Sequence, residues 1–317
     1  MVKTVLQINT VCNTGSTGRI VNDIQREIIA RGIEAVTAYG FGAPSSVGES
    51  FRVGNRMENY LHVLKTQFLD LHGFDSKFAT QRLVKKIEQI RPDIIHLHNI
   101  HGYYLNIQGL FNYLKKSQIP AVWTYHDLWP ITGRCAYVKD CDKWKKGCNS
   151  CLNQEYPASP VRDRSKKNWL AKRDAFCNVP KMVLVSPSHW LADYLKDSYL
   201  ANYPIRVINN GIDLEVFYQR NPDHAREKYG LGDNQFMILG AAANFEDERK
   251  GFKYFIELAH KLSDDCIIVL IGVSDDQQAQ LPDNIIGLEK TRDANVLAEL
   301  YSATDVFVNP SLEDNFP

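Results

Sequence analysis

The chain has 317 residues, of which 44% are hydrophobic and 23% charged, an ordinary composition for a globular protein with two domains. Lys and Arg together number 37, as do Asp and Glu, and this balance argues against a protein built to bind nucleic acid. No stretch approaches the roughly 18 apolar residues that a membrane span needs. The N-terminus, MVKTVLQINTVCN, predicts a first strand rather than a signal peptide, so the cytoplasm is the expected compartment.

The first part of the chain alternates strand and helix signals. Residues 5–8 predict a buried strand, and the one-turn spacing of Ile20, Ile24 and Ile28 predicts a helix after it. Further strands are predicted at IEAVTAY, DIIHLH, AVWTYH, MVLVS and IRVINN, with helices at 57–71, 78–90, 107–116, 164–176 and SHWLADYLKDS. Ser188 is the expected N-cap of the last helix. Residues 127–160 interrupt this alternation and predict a long inserted loop without core-forming residues.

A second alternation begins at FMILGAAA. One apolar helix face is predicted in GFKYFIELAHKL, and CIIVLIG predicts a strand covered on both faces. NIIGL, a helix at 294–302 and DVFV follow, and the polar segment 211–235 is the expected linker. The sequence therefore predicts an α/β protein with two doubly wound, Rossmann-like domains, residues 1–212 and 213–317.

The segment NTGSTG lies where the first strand turns into a helix. Gly15 and Gly18 would let a ligand approach the backbone, and the helix N-terminus, with Ser16 and Thr17, would offer N–H groups to an anion. The alternative is a tight turn that needs glycine. The segment is neither the dinucleotide fingerprint GxGxxG nor a P-loop, because it lacks the third glycine and the GK[ST] ending.

Three histidines stand at the end of the strand DIIHLH. His96, His98 and His101 approach the two-metal hydrolase pattern HxHxDH, but Ile100 replaces its Asp. A metal-dependent hydrolase is therefore one alternative function. A strand-end histidine that is structural, or that donates a hydrogen bond to a ligand, is the other interpretation.

Two further strand ends carry polar residues. His126 and Asp127 end the strand AVWTYH, where a histidine hydrogen-bonds either a sugar or phosphate oxygen or the backbone. Arg249 and Lys250 precede a helix in the second domain. Two cations at a helix N-terminus suit a pyrophosphate, and a solvated basic turn is the alternative.

Four of the seven cysteines cluster in the inserted loop with the spacing C-x5-C-x6-C-x2-C. They are Cys135, Cys141, Cys148 and Cys151. The last pair has zinc-knuckle spacing, so a structural zinc closed by four thiolates is expected, with disulfides and unmodified thiols as alternatives.

These segments, in this order, resemble those of glycosyltransferase family 4, which has the two-lobed GT-B fold. The resemblance rests on VLQINTVCNTGSTG, RPDIIHLHN, WTYHD, VSPSHW, VINNGID, RKGFKYFIELA and LYSATDVFVNPSLEDNFP. The cysteine loop is similar to that of a subgroup of bacterial capsule and exopolysaccharide transferases. The resemblance implies a retaining transfer of sugar from a nucleotide-diphosphate donor, bound by the second domain, to a polysaccharide or lipid-linked acceptor on the first. It implies no catalytic metal.

The resemblance also assigns roles to residues. Lys250 matches the diphosphate lysine, and the glycine loop matches the one that faces the diphosphate. The family's partner arginine usually lies a few residues earlier, where this chain has Ala or Asn, and Arg249 is the expected substitute. His126 matches the histidine near the donor sugar. Asp314 takes the first carboxylate position of the motif Glu-x7-Glu, or Glu313 does with a shift of one residue.

Other expectations are less direct. His98 and Asp127 are candidate contacts of the sugar or acceptor. Trp144, Lys145 and Lys146 suit either a solvated loop, which is the favoured interpretation, or a contact with the inner face of a membrane. The second acid of the carboxylate motif would follow Pro317, so we expect a truncated chain with an incomplete second domain. A non-catalytic nucleotide-sugar-binding fragment is therefore a further alternative.

Overall fold

The computed structural model describes residues 2–151, 157, 159–232, 235–291 and 293–316. They form two compact units, one ending at Asn210 and one running from Gly211 to Asn315. Each unit is built around a parallel sheet flanked by helices, and the predicted fold class is confirmed. Across the described ranges, no helix has both the length and the apolar character to cross a membrane.

The sheet of the first unit has seven parallel strands in the order β3-β2-β1-β4-β5-β6-β7. These strands are β1 (Thr4–Cys12), β2 (Glu34–Gly42), β3 (Glu49–Arg52), β4 (Ile94–Leu97), β5 (Ala121–Thr124), β6 (Met182–Ser186) and β7 (Ile205–Val207). The strand order reverses between β1 and β4. In doubly wound sheets, ligands bind at the carboxyl ends of the strands beside such a reversal.

Six α-helices accompany this sheet in the described part of the first unit. They are α1 (Gly15–Ala30), α2 (Arg56–Leu69), α3 (Lys77–Ile90), α4 (Ile107–Ser117), α5 (Ser165–Phe176) and α6 (His189–Lys196). The predicted N-cap of α6 is confirmed, because the Ser188 hydroxyl accepts a hydrogen bond from the Leu191 N–H at 3.2 Å. Asn55 and Glu58 form a capping box at the start of α2, which satisfies two N–H groups there.

The strand β3 has no counterpart among the predicted elements. Its sequence, ESFR, is half-exposed at the edge of the sheet and carries only one apolar residue. It is held by pairing with β2, for example Phe51 opposite Ala38. A contact with a neighbouring strand, rather than a local pattern, creates this element.

The inserted segment 127–160 is packed into the first unit, and the expectation that it lacks core-forming residues was wrong. Its apolar side chains, including Leu128, Trp129, Ile131, Val138 and Trp144, are buried in the main hydrophobic core. In the part of this segment that the structure describes, residues 127–151, 157 and 159–160, the regular structure consists of two short 3-10 turns, Trp129–Ile131 and Lys143–Lys145. An irregular segment has no periodicity, so its buried positions leave no pattern in the sequence.

The sheet of the second unit has the order β10-β9-β8-β11, and its strands are parallel. Its elements are α7 (Pro222–Lys228), β8 (Phe236–Ala241), α8 (Phe252–Ala259), β9 (Cys266–Ile271), α9 (Asp275–Gln278), β10 (Ile285–Leu288), α10 (Ala294–Ala303) and β11 (Val306–Phe307). The core is apolar on both faces of β8 and β9, as predicted for CIIVLIG.

The expected linker, residues 211–235, is part of the second unit, so that expectation was wrong for its described residues. Asn221 caps α7 and Pro222 occupies its first turn. Ala225 is buried, and the Arg226 guanidinium donates to the Ala303 carbonyl at 3.1 Å and pairs with Asp305. These contacts join α7 to α10 and β11.

Candidate functional site

The glycine turn, residues 13–18, connects β1 to α1. Asn13 and Gly15 have left-handed backbones, with φ of 54° and 67°, and Thr14 at the N-cap makes no side-chain bond to the helix. A Cβ at Gly15 would meet open space, whereas one at Gly18 would lie 3.2 Å from the Asn13 nitrogen. Ser16 is exposed beside Gly15. The Thr14 side chain therefore does not cap the N–H groups in the first turn of α1. N–H groups presented in this way at a helix N-terminus are an arrangement that binds anions.

A chain of hydrogen bonds runs from the interior of the first sheet to His126. The Gln7 amide nitrogen donates to the Val21 carbonyl at 3.0 Å, which turns Gln7 Oε1 toward His98 Nε2 at 3.3 Å. The His98 Nδ1 lies 3.1 Å from His126 Nε2. Because a carbonyl only accepts, Gln7 must accept from His98 Nε2–H, and His98 Nδ1 must accept from His126 Nε2–H. The Gln7–His98–His126 chain thus assigns the lone pair of His126 to Nδ1.

The histidines at these strand ends are neutral. Burial lowers the pKa of His126 to about 4, although Asp127 acts in the opposite direction, and burial lowers the pKa of His96 to about 4. Burial also places the pKa of His98 well below its ordinary value. At neutral pH these rings therefore act as directed hydrogen-bond donors and acceptors rather than as cations.

Asp127 is buried beside His126 and binds other parts of the protein. Its Oδ2 lies 2.8 Å from His101 Nε2, and its Oδ1 accepts from the Trp129 N–H at 2.9 Å. Burial acts to raise the Asp127 pKa, but His101 and the Trp129 N–H outweigh it and hold the pKa below its ordinary value. His98 is buried as well. Contact of Asp127 or His98 with a sugar or acceptor stays a prediction. The hydrogen bonds that the structure shows for these two side chains hold neighbouring protein groups in position.

The three histidines of the hydrolase alternative have separate partners. His96 Nε2 bonds the Thr124 hydroxyl at 2.9 Å, while His98 and His101 bond His126 and Asp127. Among the described residues, no group of three His, Cys, Asp or Glu side chains is arranged to hold a metal ion. The geometry therefore supplies no ligand set for that alternative.

The second unit brings a basic turn and a carboxylate turn together. The basic turn, Glu248–Lys250, follows β8 and precedes α8, and the carboxylate turn, residues 311–315, follows β11. Lys250 Nζ donates to Asp314 Oδ2 at 2.6 Å, and Arg249 donates to the Glu313 carbonyl at 2.8 Å. Arg249 also pairs with Asp247 at 2.5 Å. Because β8 and β11 are parallel neighbours, their carboxyl ends place both turns at one edge.

Gly251 allows this close approach, and its role was not predicted. Its φ is 75°, and a Cβ there would lie 2.7 Å from the Pro310 carbonyl oxygen. The Leu312 N–H donates to the Arg249 carbonyl at 2.9 Å. Glycine is therefore required both by the backbone conformation and by the neighbouring turn.

The four clustered cysteines line a single cavity in the inserted segment. Cys135 Sγ and Cys151 Sγ are 4.0 Å apart, Cys148 is buried and Cys141 is exposed. All seven cysteines are thiols rather than disulfides in the described part of the chain. Trp144, a candidate membrane contact, is buried beside this cavity, so its ring is turned away from solvent.

Two buried polar residues near these clusters were not predicted as functional. Gln7 is fully buried. Its position as a polar residue within the apolar strand VLQI is a signal that the sequence does contain. Lys172 is also fully buried, although its helix, SKKNWLAKRDAF, has charged residues on most sides and gives no such signal.

Two doubly wound parallel sheets, one of which ends in a basic turn against a carboxylate turn, define the GT-B class of glycosyltransferase folds. The model of Glycosyltransferase Family 4 matches residues 17–216, and the chain belongs to this family.

Individual relatives agree with this assignment. The chain is 29% identical over 231 residues to WcaC of Escherichia coli K12, a protein named as a colanic acid biosynthesis glycosyl transferase, across 66% of this chain and 55% of that protein. It therefore spans little more than half the length of this relative. Sucrose-phosphate synthase of Thermosynechococcus elongatus has a similar fold, with a TM-score of 0.67 and 16% identity over 99% of this chain and 77% of its own. Anabaena HepE, solved with UDP and glucose, has a TM-score of 0.63 and 13% identity over 99% and 76%.

Proposed function

We propose that this chain acts in a retaining glycosyltransferase, which moves a sugar from a nucleotide-diphosphate donor to a polysaccharide or lipid-linked acceptor in bacterial surface-polysaccharide synthesis. The observation that carries the proposal is the contact of 2.6 Å between Lys250 Nζ and Asp314 Oδ2. It joins a cation suited to a diphosphate with a carboxylate suited to sugar hydroxyls.

The basic turn has the chemistry of a diphosphate site. Glycosyl transfer places negative charge on the departing diphosphate, and cations that are already positioned lower the barrier without reorganisation. The side chains of Arg249 and Lys250 are only 12% and 20% exposed, so their contacts hold them in place. The N-terminus of α8 adds its positive dipole end at the same point. No metal is needed in this scheme.

The carboxylate turn would bind the donor sugar. Asp314 accepts hydrogen bonds, and in the donor complex it would take them from sugar hydroxyls while Lys250 turns to the diphosphate. Glu313 is buried and contributes its carbonyl to Arg249, which favours Asp314 over Glu313 as the sugar ligand. Retention of the anomeric configuration is testable by NMR of the product.

In the first unit, His126 and the glycine turn are the proposed sugar and diphosphate contacts. A neutral His126 with its lone pair on Nδ1 accepts a hydrogen bond from a sugar hydroxyl. The N–H groups of residues 15–18 suit a phosphate oxygen.

The names of relatives support the choice of substrate class. WcaC is named for colanic acid biosynthesis, and the HepE structures contain UDP or UDP-glucose. We therefore propose a nucleotide-diphosphate sugar as donor and an extracellular polysaccharide or its lipid-linked precursor as acceptor. The proposed compartment is the cytoplasm, at the inner face of the membrane where lipid-linked acceptors are presented.

A binding and transfer experiment tests this function. The chain would be screened by thermal shift against UDP-, GDP- and ADP-sugars, because a ligand at 100 times its Kd stabilises a protein by about 2.7 kcal/mol. Lys250→Ala should abolish the shift produced by the correct nucleotide sugar. In a transfer assay it should reduce the rate by about 10²- to 10³-fold, since a fixed cation near the developing charge is lost.

The matched control is Lys253→Ala, because Lys253 is an exposed lysine three residues after Lys250, in the first turn of α8. Its removal should leave both binding and transfer near their original values. Near-normal transfer by Lys250→Ala would refute the assignment of the diphosphate site. Nucleotide-sugar binding without any transfer would favour the alternative of a non-catalytic binding fragment.

A further inference from the structure

The inserted segment contains a second cluster of reactive side chains, separate from the proposed donor site. Its four cysteine side chains face one cavity, although they come from positions up to 16 residues apart. The 4.0 Å between Cys135 Sγ and Cys151 Sγ is close to the edge of about 3.8 Å expected for a tetrahedron with zinc–sulfur bonds of about 2.3 Å.

The backbone around the second pair of cysteines has the features of a metal-binding turn. Gly147, directly before Cys148, and Ser150, between Cys148 and Cys151, have left-handed φ values of 133° and 41°, which bend the chain around this pair. The Gly133 N–H donates to Cys148 Sγ at 3.1 Å. The same N–H would donate to Cys148 Sγ in a zinc-bound site, where the sulfur carries negative charge.

Lys172 supplies an independent observation. Its side chain is fully buried, and its ammonium donates to the Trp129 carbonyl at 2.7 Å and the Thr132 carbonyl at 3.1 Å. The ammonium also lies 3.4 Å from the centre of the Trp129 ring. All of these partners are neutral, and burial lowers the pKa of Lys172 to about 7, so negative charge nearby is needed to keep the buried ammonium fully protonated at neutral pH.

The cysteine cluster is the appropriate source of that charge. Cys148 and Cys135 lie close enough to Lys172 to interact with it electrostatically. Asp127 and Asp70 also interact with it electrostatically, although Asp127 is already hydrogen-bonded to His101 and to the Trp129 N–H, and Asp70 lies against Arg134. A zinc ion with four thiolates carries a net charge of about −2, which a neighbouring ammonium offsets.

We propose that Cys135, Cys141, Cys148 and Cys151 together bind one Zn²⁺ ion, whose negative thiolate shell is partly offset by the buried Lys172. No three metal-binding side chains already stand in coordinating positions within the described ranges, so binding must close the four thiols upon one another. The ion is structural, because four protein ligands leave no open position for a substrate.

The position of the site gives the ion a specific structural role. Lys172 bonds the carbonyls of Trp129 and Thr132, and the Trp129 N–H bonds Asp127. The zinc site and the Asp127–His101 pair are therefore linked through one short stretch of backbone. Zinc binding would hold this stretch against the carboxyl end of β5.

Metal analysis tests the proposal without any transfer assay, so it is independent of the proposed function. The chain, purified under reducing conditions without chelator, should contain about one zinc ion per molecule by mass spectrometry of its metals. Cys148→Ser and Cys151→Ser should each lose this zinc. Cys266→Ser, which alters a cysteine of the second unit, should keep it. A zinc-free wild-type chain, or full zinc content in a double Cys148→Ser and Cys151→Ser variant, would overturn the proposal.

Cobalt substitution tests whether four thiolates bind the metal ion even where a cysteine variant fails to fold, because it uses the wild-type chain. After the zinc of the wild-type chain is exchanged for Co²⁺, four thiolate ligands should produce intense sulfur-to-cobalt charge-transfer absorption and tetrahedral d–d bands. An octahedral cobalt spectrum, or a disulfide between Cys135 and Cys151 under the same reducing conditions, would contradict the proposal.

Discussion

At the scale of single residues, the buried amide of Gln7 is expected to control the tautomer of His126, two side chains away. Gln7→Leu removes the acceptor for His98 Nε2–H, so His98 no longer needs Nδ1 as its acceptor. His126 should then populate both tautomers, which long-range ¹H–¹⁵N NMR of the imidazoles would detect. Because about 1.4 kcal/mol corresponds to a tenfold change in rate, loss of one hydrogen bond should lower the transfer rate by about tenfold.

The control for this prediction is Gln25→Leu. Gln25 is also fully buried and donates to two backbone carbonyls, those of Ala35 and Glu49, both at 2.9 Å. Its loss should cost similar stability without changing the His126 spectrum. An unaltered His126 tautomer in Gln7→Leu would show that the Gln7–His98–His126 chain does not set it.

The residues of the candidate site differ in how much of their role the sequence contains. A local pattern made His126 and Lys250 candidates, because His126 ends a predicted strand and Lys250 lies between a strand and a helix, and the family resemblance assigned their roles. The contact between Gln7 and His98 depends on β1 lying beside β4, and that order is not a local property. Lys172 was not predicted because its contacts are also not a local property of the sequence. Its hydrogen-bond partners belong to the irregular inserted segment.

At the scale of elements, Gly251 is expected to hold the basic turn against the carboxylate turn. Gly251→Ala adds a Cβ only 2.7 Å from the Pro310 oxygen and forces a left-handed φ of 75° on alanine. Overpacking typically costs about 1–3 kcal/mol, and the left-handed backbone costs roughly 1 kcal/mol more. We expect a lower melting temperature for the second unit and loss of nucleotide-sugar binding as the turns separate.

Gly230→Ala separates the cost of the left-handed backbone from the cost of the contact with Pro310. Gly230 has a similar φ of 69°, but a Cβ added there would meet open space. The substitution should show only the backbone cost and retain binding. Equal effects of the two substitutions on binding would mean that contact with Pro310 does not position the basic turn.

Elements with a strong period were predicted well, and those without one were not. The helices α4 and α10 lie within one residue of their predicted ends, at 107–116 and 294–302, since their apolar stripes repeat every turn. The inserted segment and α7 were assigned to a loop and a linker. Their stability comes from tertiary burial and capping, which override weak local signals.

At the scale of the whole molecule, the α/β class was predicted from the sequence, but the order of strands within each sheet was not. Continuous apolar strands such as CIIVLIG indicate a parallel sheet, but they do not say which strands are neighbours. That order decides which turns meet. The carboxylate turn meets the basic turn because β11 pairs with β8 rather than with β10.

The stability of the first unit should depend on pH through its buried histidines. Burial lowers the pKa values of His62, His96 and His126 from 6.5 to about 4. The unfolded chain therefore binds more protons between pH 6.5 and 4, and the stability present above pH 6.5 is lost as the pH falls through this window. Each tenfold change in proton affinity corresponds to about 1.4 kcal/mol, so the total loss is on the order of several kcal/mol.

Urea unfolding of the chain at a series of pH values would measure this loss as the slope of unfolding free energy against pH. His62→Gln removes one of the buried titrating groups, so its slope between pH 6.5 and 4 should be shallower than that of the wild type. His189→Gln is the control, because His189 is an exposed side chain of the same unit and meets solvent in both states. A wild-type slope near zero would contradict the neutral, buried state of the histidines. Equal slopes for His62→Gln and the wild type would show that His62 does not contribute to the pH dependence of stability. Its proton affinity would then be the same in the folded and unfolded chains.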